Sequence, residues 1–267
     1  MSIATLAGIT LLTLLSGVGF FFFAVTRGTL LVRSFLNRPT TATTHIYPVY
    51  SERWLINLVD FQPLISAILL FQYRNVVNRI VSEIRNTELE GKKVLISSCA
   101  FGNVIPRIVH ESVGKNAEKV IITDIVVNEL IRAENKLGIH KEKIELLKED
   151  ATCMKQKDSS VEVNVMFFLF HELPHHLKDK AIVEAGRVLA PGGKLILAEF
   201  HKPDSFLLRI LSRAYFYIFE PYALALWDRY DPVRILEKEK KWKCERTTFF
   251  SGNFQVVIAT KTGSGTF

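Results

Sequence analysis

From Tyr73 onward the chain switches between two hydrophobic periods. Tyr73 to Ile84 repeats apolar residues at helical spacing, with Val76, Val77, Ile80 and Ile84 on one face. Val94-Leu95-Ile96 is then a short uncharged run, the pattern of a strand covered on both faces. The alternation continues with a helix over about Asn103–Val113, a strand over Val120–Asp124 and a helix over about Val127–Leu137 that closes at Gly138. Strands follow near Ile144–Leu147 and over Val161–Leu169. A helix over about Leu177–Leu189 is stopped by Pro191-Gly192-Gly193, and a further strand spans Lys194–Phe200. Strands and helices in strict turn predict a parallel sheet with right-handed crossovers. Cys244–Phe250 and Phe254–Lys261, joined by Ser251-Gly252-Asn253, predict an antiparallel hairpin that completes a seven-stranded, mostly parallel α/β sheet.

Three stretches depart from this rhythm. Ile3–Val25 holds no charged residue. At ~1.5 Å per residue it is long enough for the ~30 Å core of a bilayer, which predicts a retained transmembrane helix. A cleaved signal peptide fits less well, because no basic n-region precedes the run. Arg27, Arg33 and Arg38 follow it, so the positive-inside rule puts the body on the cytoplasmic face of a bacterial inner membrane, or the matrix face of a mitochondrial one. Asn37–Pro48 reads as a linker. Trp54–Phe71 is apolar but broken by Asp60 and Pro63, which predicts one helix or two short ones over the active site or on the membrane. Ser205–Trp227 carries only Arg209, Arg213 and Glu220 as charges and reads as a hydrophobic cover that binds an apolar substrate and touches the bilayer; buried core is the alternative. Arg229–Lys243 returns to a charged helical pattern, and Thr262–Phe267 reads as a tail. The organisation is thus an anchor and flank over 1–36, a linker with apolar lead-in helices over 37–72, and a catalytic domain over 73–267 with a hydrophobic insertion at 204–230.

The net charge of +7 comes from basic residues spread along the chain. Nucleic-acid binding calls for a clustered stripe, so the charge points to anionic lipid and away from a nucleic-acid partner. Cys99, Cys153 and Cys244 are odd in number and widely spaced, which suits a reducing compartment.

The chemistry gathers at the predicted strand ends. Ser98, Cys99, Ala100, Phe101 and Gly102 form a mostly small turn, and Asn103 opens a helix. Strand, tight turn and helix N-terminus can hold a nucleoside cofactor, although an ordinary α/β turn fits the lone glycine as well. Asp124, followed by Ile125, ends the second strand, where a carboxylate can accept both ribose hydroxyls; a helix cap is the alternative. Glu149-Asp150-Ala151 follows the third strand, where an acid can meet an adenine amino group, or else is a surface pair. Phe168-Leu169-Phe170-His171-Glu172-Leu173-Pro174 ends the fourth strand. Ala190-Pro191-Gly192-Gly193 precedes the fifth. In this order the elements resemble the class I S-adenosylmethionine-dependent methyltransferase superfamily over about residues 73–261. The resemblance implies its Rossmann-like fold and S-adenosyl-L-methionine as cofactor, held by Ser98–Gly102, Asp124, Ile125, Asp150 and Ala151.

Four strings narrow the resemblance: Ser98–Gly102, Phe167–Pro174, Phe200-His201-Lys202-Pro203 and Glu220–Trp227. Together they look like the RquA family of rhodoquinone biosynthesis, akin to the quinone C-methyltransferases. That family implies conversion of ubiquinone to rhodoquinone in the membrane, with a ring methoxy group exchanged for an amino group. It also implies S-adenosylmethionine as amino donor and a divalent metal such as Mn2+. The usual acidic residue of the first methyltransferase motif is Ile96 here, and its first two glycines are Ser98 and Ala100. That acid normally helps hold the cofactor's ammonium; without it the amine's pKa should fall, and a neutral amine is a nucleophile. His171 and Glu172, joined by His201, are the candidate catalytic groups, as a protonated His or as metal ligands beside a quinone carbonyl. Their spacing is not diagnostic of a metal, and the ligands stay unassigned. Tyr73, Phe170 and Tyr222 are the candidate substrate contacts. The competing readings are a conventional methyltransferase acting on a polyprenyl quinone or another lipid, and a non-catalytic scaffold in a quinone-biosynthesis assembly.

Overall fold

The computed structural model describes residues 53–262, except 100, 139, 140 and 221, together with scattered positions between 2 and 17. Eight helices and seven strands follow in order among the described residues of the body: α1 (Arg53–Val59), α2 (Gln62–Ile68), α3 (Tyr73–Arg85), β1 (Lys93–Ile96), α4 (Val104–Gly114), β2 (Lys119–Asp124), α5 (Val127–Lys136), β3 (Ile144–Lys148), β4 (Val161–Phe167), α6 (His175–Val188), β5 (Leu189–Phe200), α7 (Phe206–Phe219), α8 (Pro232–Lys238), β6 (Trp242–Phe249) and β7 (Phe254–Lys261). The seven strands make one sheet in the order β3-β2-β1-β4-β5-β7-β6. β1 through β5 pair in parallel, and β7 runs antiparallel to both β5 and β6.

This order has a physical consequence for the site. The strand sequence runs one way from β1 to β3 and the other way from β1 to β5, so the crossovers after β1 and β4 diverge. The crevice between their carboxyl ends is where an open α/β sheet takes a ligand. The central strands are apolar throughout because helices cover both faces: Val94, Leu95, Val163 and Val165 are fully buried. α3 closes one face with Val76, Val77, Ile80 and Ile84, none more than 1% exposed.

Four details differ from the sequence pattern. β4 stops at Phe167, because Phe168 takes a positive φ of 52° and turns the chain out of the sheet. α6 begins at His175, two residues earlier than the apolar period indicates. Pro191-Gly192-Gly193 does not end a helix; it lies inside β5, where the register against β4 slips between Val161 and Val163. A side chain at Gly193 would stand 2.8 Å from the Ala190 carbonyl, so the bulge needs glycine there. The charged pattern of Arg229–Lys243 yields only α8, which opens on Pro232 with the Asp231 carboxylate accepting from the Arg234 amide. The apolar lead-in takes the second of its two expected forms, two short helices, α1 and α2, parted at Asp60 and Phe61.

No helix among the described residues is long and apolar enough to cross a membrane. Most of the predicted span Ile3–Val25 lies outside the described residues, as do the linker at 37–48 and the tail from 263.

Candidate active site

The loop after β1 is held from three sides. Tyr73, 1% exposed, lies beneath it: its hydroxyl donates to the Phe101 carbonyl at 3.1 Å and accepts from the Val104 amide at 2.8 Å. Gly102 has φ +78°, and a Cβ there would stand 2.4 Å from the Tyr73 oxygen, so ring and loop fit only with glycine. Asp60 reaches in from the α1–α2 turn. Its carboxylate accepts from the Gly102 amide at 2.5 Å, from Lys136 Nζ at 2.6 Å and from Arg132 Nε at 3.0 Å, with Arg132 Nη2 also against it. Lys136 donates onward to the Gly102 carbonyl at 2.9 Å, and the Arg132 guanidinium lies 5.0 Å from the Phe101 ring centre. Asp124 closes the third side: Oδ2 accepts from the Cys99 amide and Oδ1 from the Val126 amide, both at 2.7 Å.

Burial pushes the Asp124 carboxyl up to about 6, against the three backbone amides that favour its charge. Glu129, beside Arg132, is pushed up to about 7 by the same cause. The Cys99 thiol is raised well above its ordinary value by burial and by Asp124, which makes it a poor nucleophile. Ile96 is 1% exposed and packed in the core, so no carboxylate stands at the end of β1. Ile125 is half-buried beside Asp124, and Ala100 lies outside the described residues. Asp150 is exposed, and Oδ1 is engaged by the amide and hydroxyl of Thr152 at 2.8 Å in a local turn. Its neighbours Glu149 and Ala151 are the buried ones.

The fit to a nucleoside cofactor rests on Asp124. Its carboxylate fixes the loop through Cys99, remains partly open at the rim, and sits where ribose hydroxyls would donate to it. Among the described residues no group of three or more His, Cys, Asp and Glu side chains is placed to hold a metal ion, so the expected Mn2+ finds no ligand set here.

The second half of the site lies across the crevice, at the ends of β4 and β5. His171, 5% exposed, is flanked by two buried acids. Its Nδ1 lies 2.9 and 3.1 Å from the two oxygens of Glu199, whose Oε2 also accepts the His171 amide at 3.1 Å and whose Oε1 accepts the Phe200 amide at 2.7 Å. These contacts place a proton on Nδ1 and aim Nε2 at Glu220, whose Oε2 is 3.4 Å away. Burial raises the Glu220 carboxyl far above the carboxylate range, and its Oε1 accepts from the Tyr215 hydroxyl at 3.2 Å. Phe168 and Phe200 set their rings edge-on to the imidazole at 5.9 and 5.1 Å. Lys178, fully buried, donates to the Leu173 carbonyl at 2.5 Å beneath the Tyr222 and Tyr230 rings, and burial pulls its ammonium down to about 8.

The remaining predicted residues are distributed differently. His201 does not join His171: its Nδ1 meets the Gly252 carbonyl at 2.7 Å and its Nε2 faces Arg246 at 3.1 Å. It lines a separate polar cleft of about 280 Å³ with Lys202, Asp204, Asp228 and Arg246. Glu172 is half-buried next to His171, yet it is Glu199 and Glu220 that bracket the imidazole. Tyr73 shapes the loop rather than facing a substrate, Phe170 is 1% exposed in the core, and Tyr222 is 9% exposed over Lys178. Asp60, Glu199 and Glu220 escape a motif reading. Each is a solitary acid in an apolar run, and that is the signal that finds them: a buried charge is retained only where something pairs with it.

A parallel sheet with a reversed antiparallel C-terminal pair, a loop after β1 tied to the acid that ends β2, and a polar centre after β4 define a class I S-adenosylmethionine-dependent methyltransferase. The chain belongs to the ubiE/COQ5 methyltransferase family, whose model matches residues 60–249. Over 100 residues it is 35% identical to the ubiquinone/menaquinone biosynthesis C-methyltransferase UbiE of Hahella chejuensis, a match that takes in 36% of this chain and 38% of that protein. The fold is shared with a SAM-dependent methyltransferase from Aquifex aeolicus at TM-score 0.54 and 21% identity, covering 79% of this chain and 99% of that one. A putative S-adenosyl-L-methionine-dependent methyltransferase from Methanococcus maripaludis superposes at TM-score 0.53 and 15% identity, covering 85% of this chain and 100% of that one.

Proposed function

We propose that this enzyme converts ubiquinone to rhodoquinone, exchanging a ring methoxy group for an amino group supplied by S-adenosylmethionine. The observation that carries the reading is Ile96, an apolar core residue at the place where a carboxylate would hold the donor's ammonium. With that anion gone, the amine's pKa falls and the nitrogen becomes available to attack. The loop over 98–102 and Asp124 would hold the donor, whose chemistry when bound is to supply the transferred group.

This chain's own residues then manage protons. The nitrogen would stay on the ring when the donor's Cα–N bond breaks by elimination, with a Cβ proton passing to it; before that, the incoming amine sheds a proton and the departing methoxy group needs one to leave as methanol. His171 suits both tasks, because Glu199 fixes its tautomer and Nε2 exchanges with a Glu220 carboxyl that burial keeps protonated. The aromatic rings around it exclude water and suit a quinone ring. The polyprenyl tail stays in the bilayer, since each CH2 moved to water costs ~0.8 kcal/mol. Ile3–Val25 would accordingly hold the enzyme at the membrane as a single-pass anchor, with the catalytic body on the cytoplasmic or matrix face.

Conventional methyl transfer to a quinone is the second reading, favoured by the identity to the Hahella chejuensis C-methyltransferase. Quinone profiling by mass spectrometry, in a host that makes only ubiquinone and is supplied with methionine labelled at the α-nitrogen, separates the two. Loss of methoxy with gain of a labelled amino group supports the proposal; gain of CH2 favours the second reading. An unlabelled amino group ends the donor assignment, and an unchanged quinone pool ends both readings.

A further inference from the structure

α7 stands apart from the other helices of the body in what it leaves uncovered. Phe206, Leu207, Ile210, Leu211 and Tyr217 are 75, 64, 49, 56 and 68% exposed. Positions 206, 210 and 217, with 207, 211 and the exposed Ala214 alongside, fall on one face at i, i+4 and i+7 spacing. The opposite face is anchored: Phe216 is 2% exposed against Phe200 and Trp227, and Ser212 donates to the Asn253 side chain at 2.9 Å. The helix is thus docked by one face while Phe206, Leu207, Ile210 and Leu211 stay exposed on the other. At ~1.5 Å per residue its 14 residues present an apolar ridge about 21 Å long.

The charges select the occupant. α7 contains no Asp or Glu, and its only charged residues are Arg209 and Arg213. Arg209 is held on the near side by the carbonyls of Pro203 and Asp204. Arg213 is exposed and leans toward the Trp227 ring at 5.8 Å, leaving its guanidinium at the edge of the ridge. An apolar ridge on a helix whose only charges are arginines matches the acyl and anionic headgroup layers of a bilayer surface. A ridge built for a second copy of this chain would have to offer its arginines to identical arginines across the dyad.

We infer that α7 is an interfacial helix that lies in the surface of an anionic bilayer and sets the orientation of the catalytic body upon it. The helix ends at Glu220, the acid that faces His171, so lipid contact and the proposed acid–base centre share one element. A quinone ring lifted from the bilayer beside the end of α7 thus has a short path to His171. The path rests on the proposed function; the lipid contact does not.

The test uses the full chain in vesicles of phosphatidylglycerol and phosphatidylcholine, after Cys153→Ser and Cys244→Ser. An environment-sensitive dye is attached through Leu207→Cys or Leu211→Cys, both exposed sites, or through Lys180→Cys on α6 as control. Nitroxides on the lipid acyl chains are expected to quench the α7 dyes at least threefold more than the Lys180 dye. Equal quenching at all three sites overturns the inference. So does a blue-shifted α7 dye that lipid nitroxides leave unquenched, which would place protein on the ridge: a second copy or the chain's own apolar N-terminal segment. In a separate measurement, Leu207→Glu with Leu211→Glu is expected to raise the apparent KM for vesicle-borne quinone about tenfold while S-adenosylhomocysteine affinity stays unchanged. An unaltered KM with the dyes still quenched keeps the docking and removes the proposed path. A wild-type protein inactive on quinone leaves the dye result standing and sinks only the enzymatic reading.

Discussion

The two acids beside His171 should respond to the same substitution in opposite ways. Glu199 accepts three donors: the Phe200 amide on Oε1, the His171 amide on Oε2, and His171 Nδ1 between them. In Glu199→Gln, whichever way the amide is turned, its NH2 faces a buried backbone N–H. One donor is stranded, at about 1–3 kcal/mol, and the surviving bonds lose their charge assistance, for a total of about 2–4 kcal/mol. For a domain of this size that is a fall in Tm of about 5–15 °C. Glu220 is different. Burial already keeps it protonated, so Glu220→Gln replaces a neutral acid with a neutral amide of the same shape, and the NH2 can donate to His171 Nε2. Its cost should stay below about 1 kcal/mol. Its effect belongs to turnover, because the amide cannot deliver a proton. The assay is thermal unfolding followed by circular dichroism at pH 7.5, paired with turnover on vesicle-borne quinone. A Glu220→Gln protein that loses as much stability as Glu199→Gln would refute the claim that Glu220 is folded as a neutral acid. Full turnover in Glu220→Gln would refute its role in the chemistry.

Two further outcomes follow from the cofactor side. Asp124 must be ionised to accept ribose hydroxyls, and its carboxyl is pushed up to about 6, above the unfolded value, so charge is lost as pH falls through 6. S-adenosylhomocysteine should bind about tenfold more weakly at pH 5 than at pH 7.5 by titration calorimetry, and Asp124→Asn should bind weakly with a flat pH profile. Asp60→Asn weakens the contacts to Lys136 and Arg132 and should speed proteolysis within α1 and α2 several-fold, measured by limited digestion, while the sheet keeps its cooperative unfolding. Unchanged digestion would show that Asp60 does not pin the lead-in helices.

The pattern of apolar periods determined the sheet almost entirely. Runs such as Val94-Leu95-Ile96 can satisfy their backbone only in a covered strand, and alternation with helices leaves only the parallel arrangement. It also located the loop after β1, Asp124 and the β4 terminus with His171, because the ends of parallel strands are where such a fold does chemistry. Local pattern failed where a residue's role depends on what lies across the crevice. Pro191-Gly192-Gly193 reads as a helix stop, yet pairing with β4 turned it into a bulge. Tyr73 reads as a cleft residue, yet the close approach of Gly102 made it a strut. His201 reads as a partner of His171, yet the β6–β7 turn took it to another cleft. Glu199 and Glu220 stand 28 and 49 positions beyond His171 in the chain, one on a strand and one at the end of α7, and only packing brings both to one imidazole. Burial, which a sequence does not display, then raises the Glu220 carboxyl toward its neutral form and divides the apolar residues of α7 into a face that grips the core and a face that stays exposed.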